Sequence, residues 1–326
     1  MTMHTALPTV PLGTTGMDVT RVGFGAWAIG GGDWAFAWGA QDDDASIAAI
    51  LHAVERGVNW IDTASVYGLG HSEEVVGRAL AALPADERPY VFTKGGMQFD
   101  LADRRRRAQR VGAPAAIKRH AEESLARLGV ERIDLFQMHW PADDGTPIEE
   151  YWNAFVELRD EGKVRAIGLS NHSVAQIDSA EAVGHVDTLQ PPFSAIAPAT
   201  ADELLPWCIA HDTGVIVYSP MGSGLLTGAF DAERVASLPE DDWRRSAPAF
   251  TTDLEQNLRI ADALARVAER HGVPQPAAAA AWTLGFDGVT AAIVGARSEA
   301  QIEGWLPASS LVLTDEDYAE VAAASA

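Results

Sequence analysis

Eight short apolar runs, each set off from the next by a longer stretch, limit this chain to very few folds. The runs are residues 21–27, 58–62, 90–94, 133–138, 166–169, 186–190, 215–219 and 289–294. They are apolar almost throughout rather than in alternation, the signature of strands covered on both faces, as in a parallel sheet. Between them lie helical stretches such as 44–56, 72–82, 115–128, 148–161, 201–211 and 275–284. No Ser/Pro-rich linker divides residues 1–326. The alternation reads as an α/β chain and a single (β/α)8 TIM barrel, with long loops at the C-terminal face. Ahead of it, Leu12-Gly13-Thr14-Thr15-Gly16-Met17-Asp18-Val19 reads as a small hairpin turning at Thr15-Gly16.

Three of the runs deliver a polar side chain at the same end of the sheet: Asp62, Lys94 and His139. Tyr67 follows Asp62 in Trp60-Ile61-Asp62-Thr63-Ala64-Ser65-Val66-Tyr67-Gly68. A phenol has a reference pKa of about 10, and an ammonium in contact favours the phenolate and lowers that value. Asp62 would keep the lysine charged and in place. His139 would exchange a hydrogen bond with the same phenol, leaving Tyr67 as general acid when an alkoxide forms, or as general base in reverse. Each residue alone also suits an ordinary role: a cap for Asp62, a solvated strand end for Lys94, a loop aromatic for Tyr67, a core histidine for His139. Four of them converging on strand ends favour a catalytic site. Gly68-Leu69-Gly70 lacks the third glycine of a dinucleotide fingerprint, and no phosphate-binding G-x-x-x-x-G-K-[ST] occurs, so a Rossmann domain is not expected.

Asp, Tyr, Lys and His in this order resemble the tetrad of the aldo-keto reductases, and the likeness runs from Gly23-Phe24-Gly25-Ala26-Trp27 to Gly295-Ala296-Arg297-Ser298-Glu299-Ala300-Gln301. It is similar to the bacterial branch that groups general stress proteins with potassium-channel β subunits. The resemblance implies that the hairpin plugs the barrel floor and that a nicotinamide dinucleotide lies on the barrel itself. It places Ser170, Asn171 and Gln190 on the carboxamide, Tyr218 against the nicotinamide ring, and Ser219, Pro220, Met221, Gly222 and Gly224 along the pyrophosphate. Trp27 and Asp62 border the cofactor. Arg244, in Asp241-Asp242-Trp243-Arg244-Arg245, would contact a phosphate. Gly295, Arg297 and Gln301 match the adenosine end, where Arg297 facing a 2′-phosphate implies NADPH, with NAD possible. Gly304-Trp305 departs from the frequent Glu-Asn, leaving Trp305 to stack on adenine instead. Tyr67, Trp34 and Trp140 are the expected substrate contacts. The implied activity is NADPH-dependent reduction of aldehydes or ketones. The alternatives are an NAD(P)-dependent sugar or polyol dehydrogenase working oxidatively, and a nicotinamide-binding regulatory subunit.

A formal net charge of −22 argues against nucleic acid, and no basic stripe interleaved with aromatics offsets it. The exception is Arg104-Arg105-Arg106-Arg107 with Arg110: either a solvated charge run or, by the resemblance, a loop at the barrel mouth that attracts anionic groups. Cys208 is the only cysteine, so no internal disulfide forms and a cytoplasmic setting is expected. The first residues lack a basic patch followed by an apolar core, and no apolar stretch reaches the roughly 18 residues of a membrane span. The expected partner is a small carbonyl or alcohol, with no metal and no membrane; nothing in the pattern sets an oligomeric state.

Overall fold

The computed structural model describes residues 7–239 and 242–325; Asp241 and the residues before Leu7 lie outside the described residues. Eight strands close into a barrel: β1 (Val22–Gly25), β2 (Trp60–Asp62), β3 (Tyr90–Gly95), β4 (Ile133–Met138), β5 (Val164–Ser170), β6 (Thr188–Gln190), β7 (Gly214–Val217) and β8 (Ala291–Gly295). Every neighbouring pair is parallel, and β8 pairs with β1 to close the ring. This is the (β/α)8 barrel that the run pattern implies. Several runs are trimmed: 58–62 shrinks to Trp60–Asp62, and 21–27 stops at Gly25 because Trp27–Ile29 winds into a single 3-10 turn.

The helices are α1 (Asp43–Glu55), α2 (His71–Ala81), α3 (Pro114–Leu128), α4 (Ile148–Asp160), α5 (Val174–Glu181), α6 (Thr200–Ala210), α7 (Ala232–Ala236), α8 (Leu254–His271), α9 (Gln275–Leu284), α10 (Glu299–Trp305) and α11 (Asp315–Ala323). Local chemistry sets many of their ends. Asp42 accepts from the Ala45 N–H at the start of α1, and a left-handed Gly129 ends α3. Five helices, α5, α7, α8, α10 and α11, go beyond the stretches named from sequence. Helix α8 buries Ile260, Leu264, Val267 and Ala268 on one face, the spacing of an amphipathic helix.

The barrel floor is filled from both sides. Trp60, Phe92, Leu135, Ala166, Ile216 and Ala291 point inward, with the Trp60 and Phe92 rings stacked at 5.2 Å. Gly23 makes room for them, since a Cβ there would lie 2.1 Å from the Trp60 ring. From below, strand Thr9–Pro11 pairs antiparallel with Asp18–Thr20, and the hairpin inserts Leu12, Met17 and Val19, all essentially buried, into the same cluster. The hairpin plug is therefore present. With the floor sealed, side chains needing space and water can gather only at the C-terminal mouth.

Candidate active site

Asp62 and Lys94 meet at the ends of β2 and β3, 2% and 1% exposed. The Lys94 ammonium donates to Asp62 Oδ1 at 2.5 Å and to the Thr63 carbonyl at 2.9 Å. The other carboxylate oxygen accepts from the Gln190 amide at 2.9 Å, and that amide nitrogen also reaches Gln137 Oε1 at 3.3 Å. Lys94 Nζ lies over the Tyr67 ring, 5.1 Å from its centroid, and the His139 ring meets Tyr67 edge-on at 5.6 Å. All four residues named from sequence thus converge. Tyr67 stands on a one-turn 3-10 helix whose Gly68 and Leu69 are left-handed, at φ 62° and 59°. A Cβ on Gly68 would sit 2.0 Å from the Gly30 carbonyl, so only glycine brings the Tyr67 turn against the β1 loop. Leu69 has no such freedom, and its backbone stores strain beside the site.

The electrostatics differ from the expectation in one respect. Burial pushes the Asp62 carboxyl up and the Lys94 ammonium down, and their attraction opposes both shifts. Glu73, buried on α2 and bonded to Thr93 and Arg127, adds to the field that keeps Lys94 protonated. Lys94 was expected to lower the Tyr67 phenol. Instead the phenol is pushed well above its ordinary range, first by burial and then by the Asp62 charge. Burial, Lys94 and Arg110 together push His139 well below its ordinary value, so its imidazole is neutral. Its Nδ1 is sealed without a hydrogen-bond partner among the described residues, which leaves Nε2 as the ring nitrogen with access.

The residues assigned to the carboxamide form one connected set at the ends of β5, β6 and β7. Ser170 Oγ donates to the Gln190 carbonyl at 2.8 Å. Asn171, left-handed at φ 65°, donates to the His139 carbonyl at 2.9 Å and to Ser170 Oγ at 3.0 Å. The Tyr218 hydroxyl donates to Asn171 Oδ1 at 2.7 Å. After Tyr218 the backbone curls through left-handed Ser219, Gly222, Ser223 and Gly224, past a buried Pro220 and a half-buried Met221; such turns aim successive N–H groups at an anion.

Two arginines stand beyond that curl. Arg244 grips Asp242 with two hydrogen bonds, 3.0 and 2.6 Å, and lies over Trp38 at 4.9 Å. Arg297, at the end of β8, donates to Gln41 at 2.6 Å and to the carbonyls of Trp38 and Ala40, while its own N–H bonds Gln301. Gly295, at the end of β8, is exposed. Burial and the nearby Arg244 charge lower the Arg297 pKa. Two guanidiniums close enough to oppose each other, next to a curl of backbone amides, fit a phosphate-bearing dinucleotide. Trp305 does not take part: it is 1% exposed and packs in the core beside Ile302, so it cannot stack on a base, and that expectation is corrected.

Aromatic side chains close the mouth. Trp27 stacks between Tyr67 at 6.1 Å and Trp243 at 5.8 Å, with Trp38 edge-on at 5.1 Å. Trp34 is 7% exposed and packs with Ala64, Val66 and Leu69, forming the wall behind Tyr67 rather than an open contact. Trp140 is half-buried beside His139, under the Arg110 guanidinium. Reading the sequence missed Gln137, Glu73, Gln41 and Trp243. A lone glutamine inside the apolar run 133–138 was the available signal for Gln137; the others act through contacts between distant segments. Among the described residues no group of three or more His, Cys, Asp or Glu is placed to hold a metal ion, and no helix is long and apolar enough to cross a membrane.

Residues 21–326 match the Aldo/keto reductase family. The chain is 35% identical over 309 residues to the aldo-keto reductase YhdN of Bacillus subtilis, covering 94% of this chain and 90% of that protein. It is 34% identical to the NADH-specific methylglyoxal reductase of Escherichia coli, over 94% of this chain and 95% of that one. Among solved structures, the glycerol dehydrogenase AKR11B4 of Gluconobacter oxydans superposes with a TM-score of 0.87 at 38% identity, over 97% of this chain and 94% of that chain. With the four polar residues gathered at the mouth of a closed parallel barrel, these likenesses place the chain in the aldo/keto reductase family, oxidoreductases of carbonyls and alcohols.

Proposed function

We propose that this chain reduces aldehydes or ketones to alcohols with NADPH, with Tyr67 as the proton donor and residues 1–326 acting as one unit in the cytoplasm. The observation that carries the reading is the convergence of four side chains at the open end of the sealed barrel: Lys94, paired with Asp62, lies 5.1 Å from the centroid of the Tyr67 ring, and His139 meets that ring edge-on at 5.6 Å. A bound nicotinamide dinucleotide supplies the hydride in reduction and takes it up in oxidation. The chain does the rest. Tyr67 passes its proton to the carbonyl oxygen as negative charge develops there, and the Lys94 ammonium beneath the ring stabilises the phenolate left behind. Asp62, held by Gln190, keeps Lys94 in place; neutral His139 orients the oxygen without adding a second full charge. Asn171, Ser170 and Tyr218 fix which face of the ring meets the substrate.

NADPH is favoured by Arg297 with Arg244 nearby; NADH is the second reading, since one relative is named NADH-specific. Arg297→Ala should weaken NADPH by roughly ten- to a hundredfold and NADH much less, because one charge-assisted contact to the 2′-phosphate is lost. Calorimetric titration checks this. An equal loss for both cofactors would leave Arg297 only as the clasp that ties the loop of Trp38, Ala40 and Gln41 to β8.

The oxidative reading draws support from the likeness to a glycerol dehydrogenase. Oxidation needs the Tyr67 phenolate, and the phenol is raised, so oxidation should climb with pH through the alkaline range. Reduction should stay level over the neutral range, where the phenol is protonated and His139 is neutral. Rates of polyol oxidation and aldehyde reduction measured across pH test both. Oxidation that is level and faster than reduction at neutral pH would reverse the assigned direction.

A further inference from the structure

Arg110 differs from Arg106 and Arg107, which also lack a carboxylate partner among the described residues, in being held by a strand next to the site. Arg104 and Arg105 turn to Asp33, at 4.0 and 3.3 Å, and Arg107 lies over Phe36. Arg110 has no carboxylate within ion-pair distance among the described residues, although the chain carries a net charge of −22. The neighbouring Asp144 is committed elsewhere, accepting the N–H groups of Gly112 at 2.9 Å and Thr146 at 3.0 Å. The position of Arg110 is built rather than incidental. Strand Gln109–Arg110 pairs antiparallel with Met97–Gln98, setting Arg110 opposite Met97, and the Val111 N–H bonds the Gly96 carbonyl at 2.9 Å. That ribbon grows directly from the end of β3, just past Lys94. The guanidinium then lies 4.4 Å from the centroid of Trp140, the residue after His139.

A cation is thus fixed between the ends of β3 and β4, near enough for its charge to act on His139. In a closed ring of eight strands, β3 and β4 face β7 and β8, whose loops carry Arg244 and Arg297. Phosphates of a dinucleotide held by those two arginines lie across the barrel from Arg110. An anion meeting Arg110 therefore arrives with the substrate. We propose that Arg110, stacked on Trp140 beside His139, is a specificity-determining residue that selects aldehydes and ketones carrying an anionic group, a carboxylate or a phosphate. A planar guanidinium already braced on an indole loses little freedom when it accepts such a group, and its fork matches a carboxylate.

This rests on the reductase reading, and the test separates the two. Two matched pairs are compared with the cofactor-loaded enzyme: para-carboxybenzaldehyde with its methyl ester, and glyceraldehyde phosphate with glyceraldehyde. The ratio of kcat/KM for the anionic over the neutral member should fall roughly ten- to a hundredfold in Arg110→Gln for at least one pair, which also tells carboxylate from phosphate. Arg110→Lys, which keeps the charge but not the fork, should fall between. Ratios that are the same in wild type and Arg110→Gln for both pairs would overturn the proposal and leave the reductase standing. If none of the four aldehydes is turned over, the reductase reading is what fails. Calorimetric binding of para-carboxybenzyl alcohol then decides for Arg110: binding lost in Arg110→Gln supports it, and binding equal in both, or absent from wild type, overturns it.

Discussion

Tyr67→Phe should lower kcat for aldehyde reduction by roughly 10²- to 10⁴-fold while cofactor affinity stays near that of the wild type. The ring is kept, so the stack of Trp27 between Tyr67 and Trp243 and the contact with Lys94 survive. Only the hydroxyl is lost, and with it the proton. Tyr67 is half-buried, and its ring is packed between the turn at Gly68 and the aromatic wall, contacts that do not depend on the hydroxyl. Stopped-flow single-turnover kinetics, paired with calorimetric titration of the cofactor, separate the chemical step from binding. A variant that kept most of its turnover would mean that another group gives the proton.

Lys94→Met should be the most damaging substitution to the fold as well as to turnover. It leaves Asp62 buried with only the neutral Gln190 and Gln137 amides to oppose its charge, and breaking a buried ion pair by removing one partner costs about 3–5 kcal/mol. The pH dependence follows from linkage. Without Lys94, burial raises the folded-state pKa of Asp62 above its unfolded value of about 3.9, so the protonated form is favoured in the folded chain. The stability this gives is complete below the unfolded value and is lost as pH rises through the folded one. The deficit against wild type should therefore be largest at neutral pH and shrink toward acid. Urea unfolding at several pH values measures it. Lys94→Met combined with Asp62→Leu should recover much of the stability and none of the turnover. If the single variant unfolded like wild type at neutral pH, the pair would not be the buried ion pair described.

Sequence alone carried the barrel because each strand is a contiguous apolar run with a turn at both ends, a local signal. It also carried the four polar residues, since each closes a run or follows one closely. Strand ends were less legible: pairing stops where the neighbouring strand stops, so Val58 and Asn59 lie outside β2 despite their apolar run. What stayed hidden depends on contacts between segments far apart in the chain. The bond of Gln190 to Asp62 spans 128 residues, and that of Arg297 to Gln41 spans 256. Trp305 was misjudged for a different reason. Its burial follows from α10, where Ile302 and Trp305, three residues apart, share the inward face, and that short helix was not read. The direction of the Tyr67 shift could not be read either, because it depends first on how deeply the assembled mouth buries the phenol and then on the nearby Asp62 charge.

The most direct measurement is steady-state turnover by the purified wild-type chain, with free aldehydes and ketones as substrates and nicotinamide absorbance as the readout. NADPH and NADH are each tried with the full panel. A carbonyl reductase consumes the reduced cofactor only when a carbonyl is present, forms one alcohol for each cofactor oxidised, and does so faster with NADPH. A chain that binds NADPH yet turns over none of the carbonyls would contradict the assignment and point to a nicotinamide-binding regulatory protein on the same barrel.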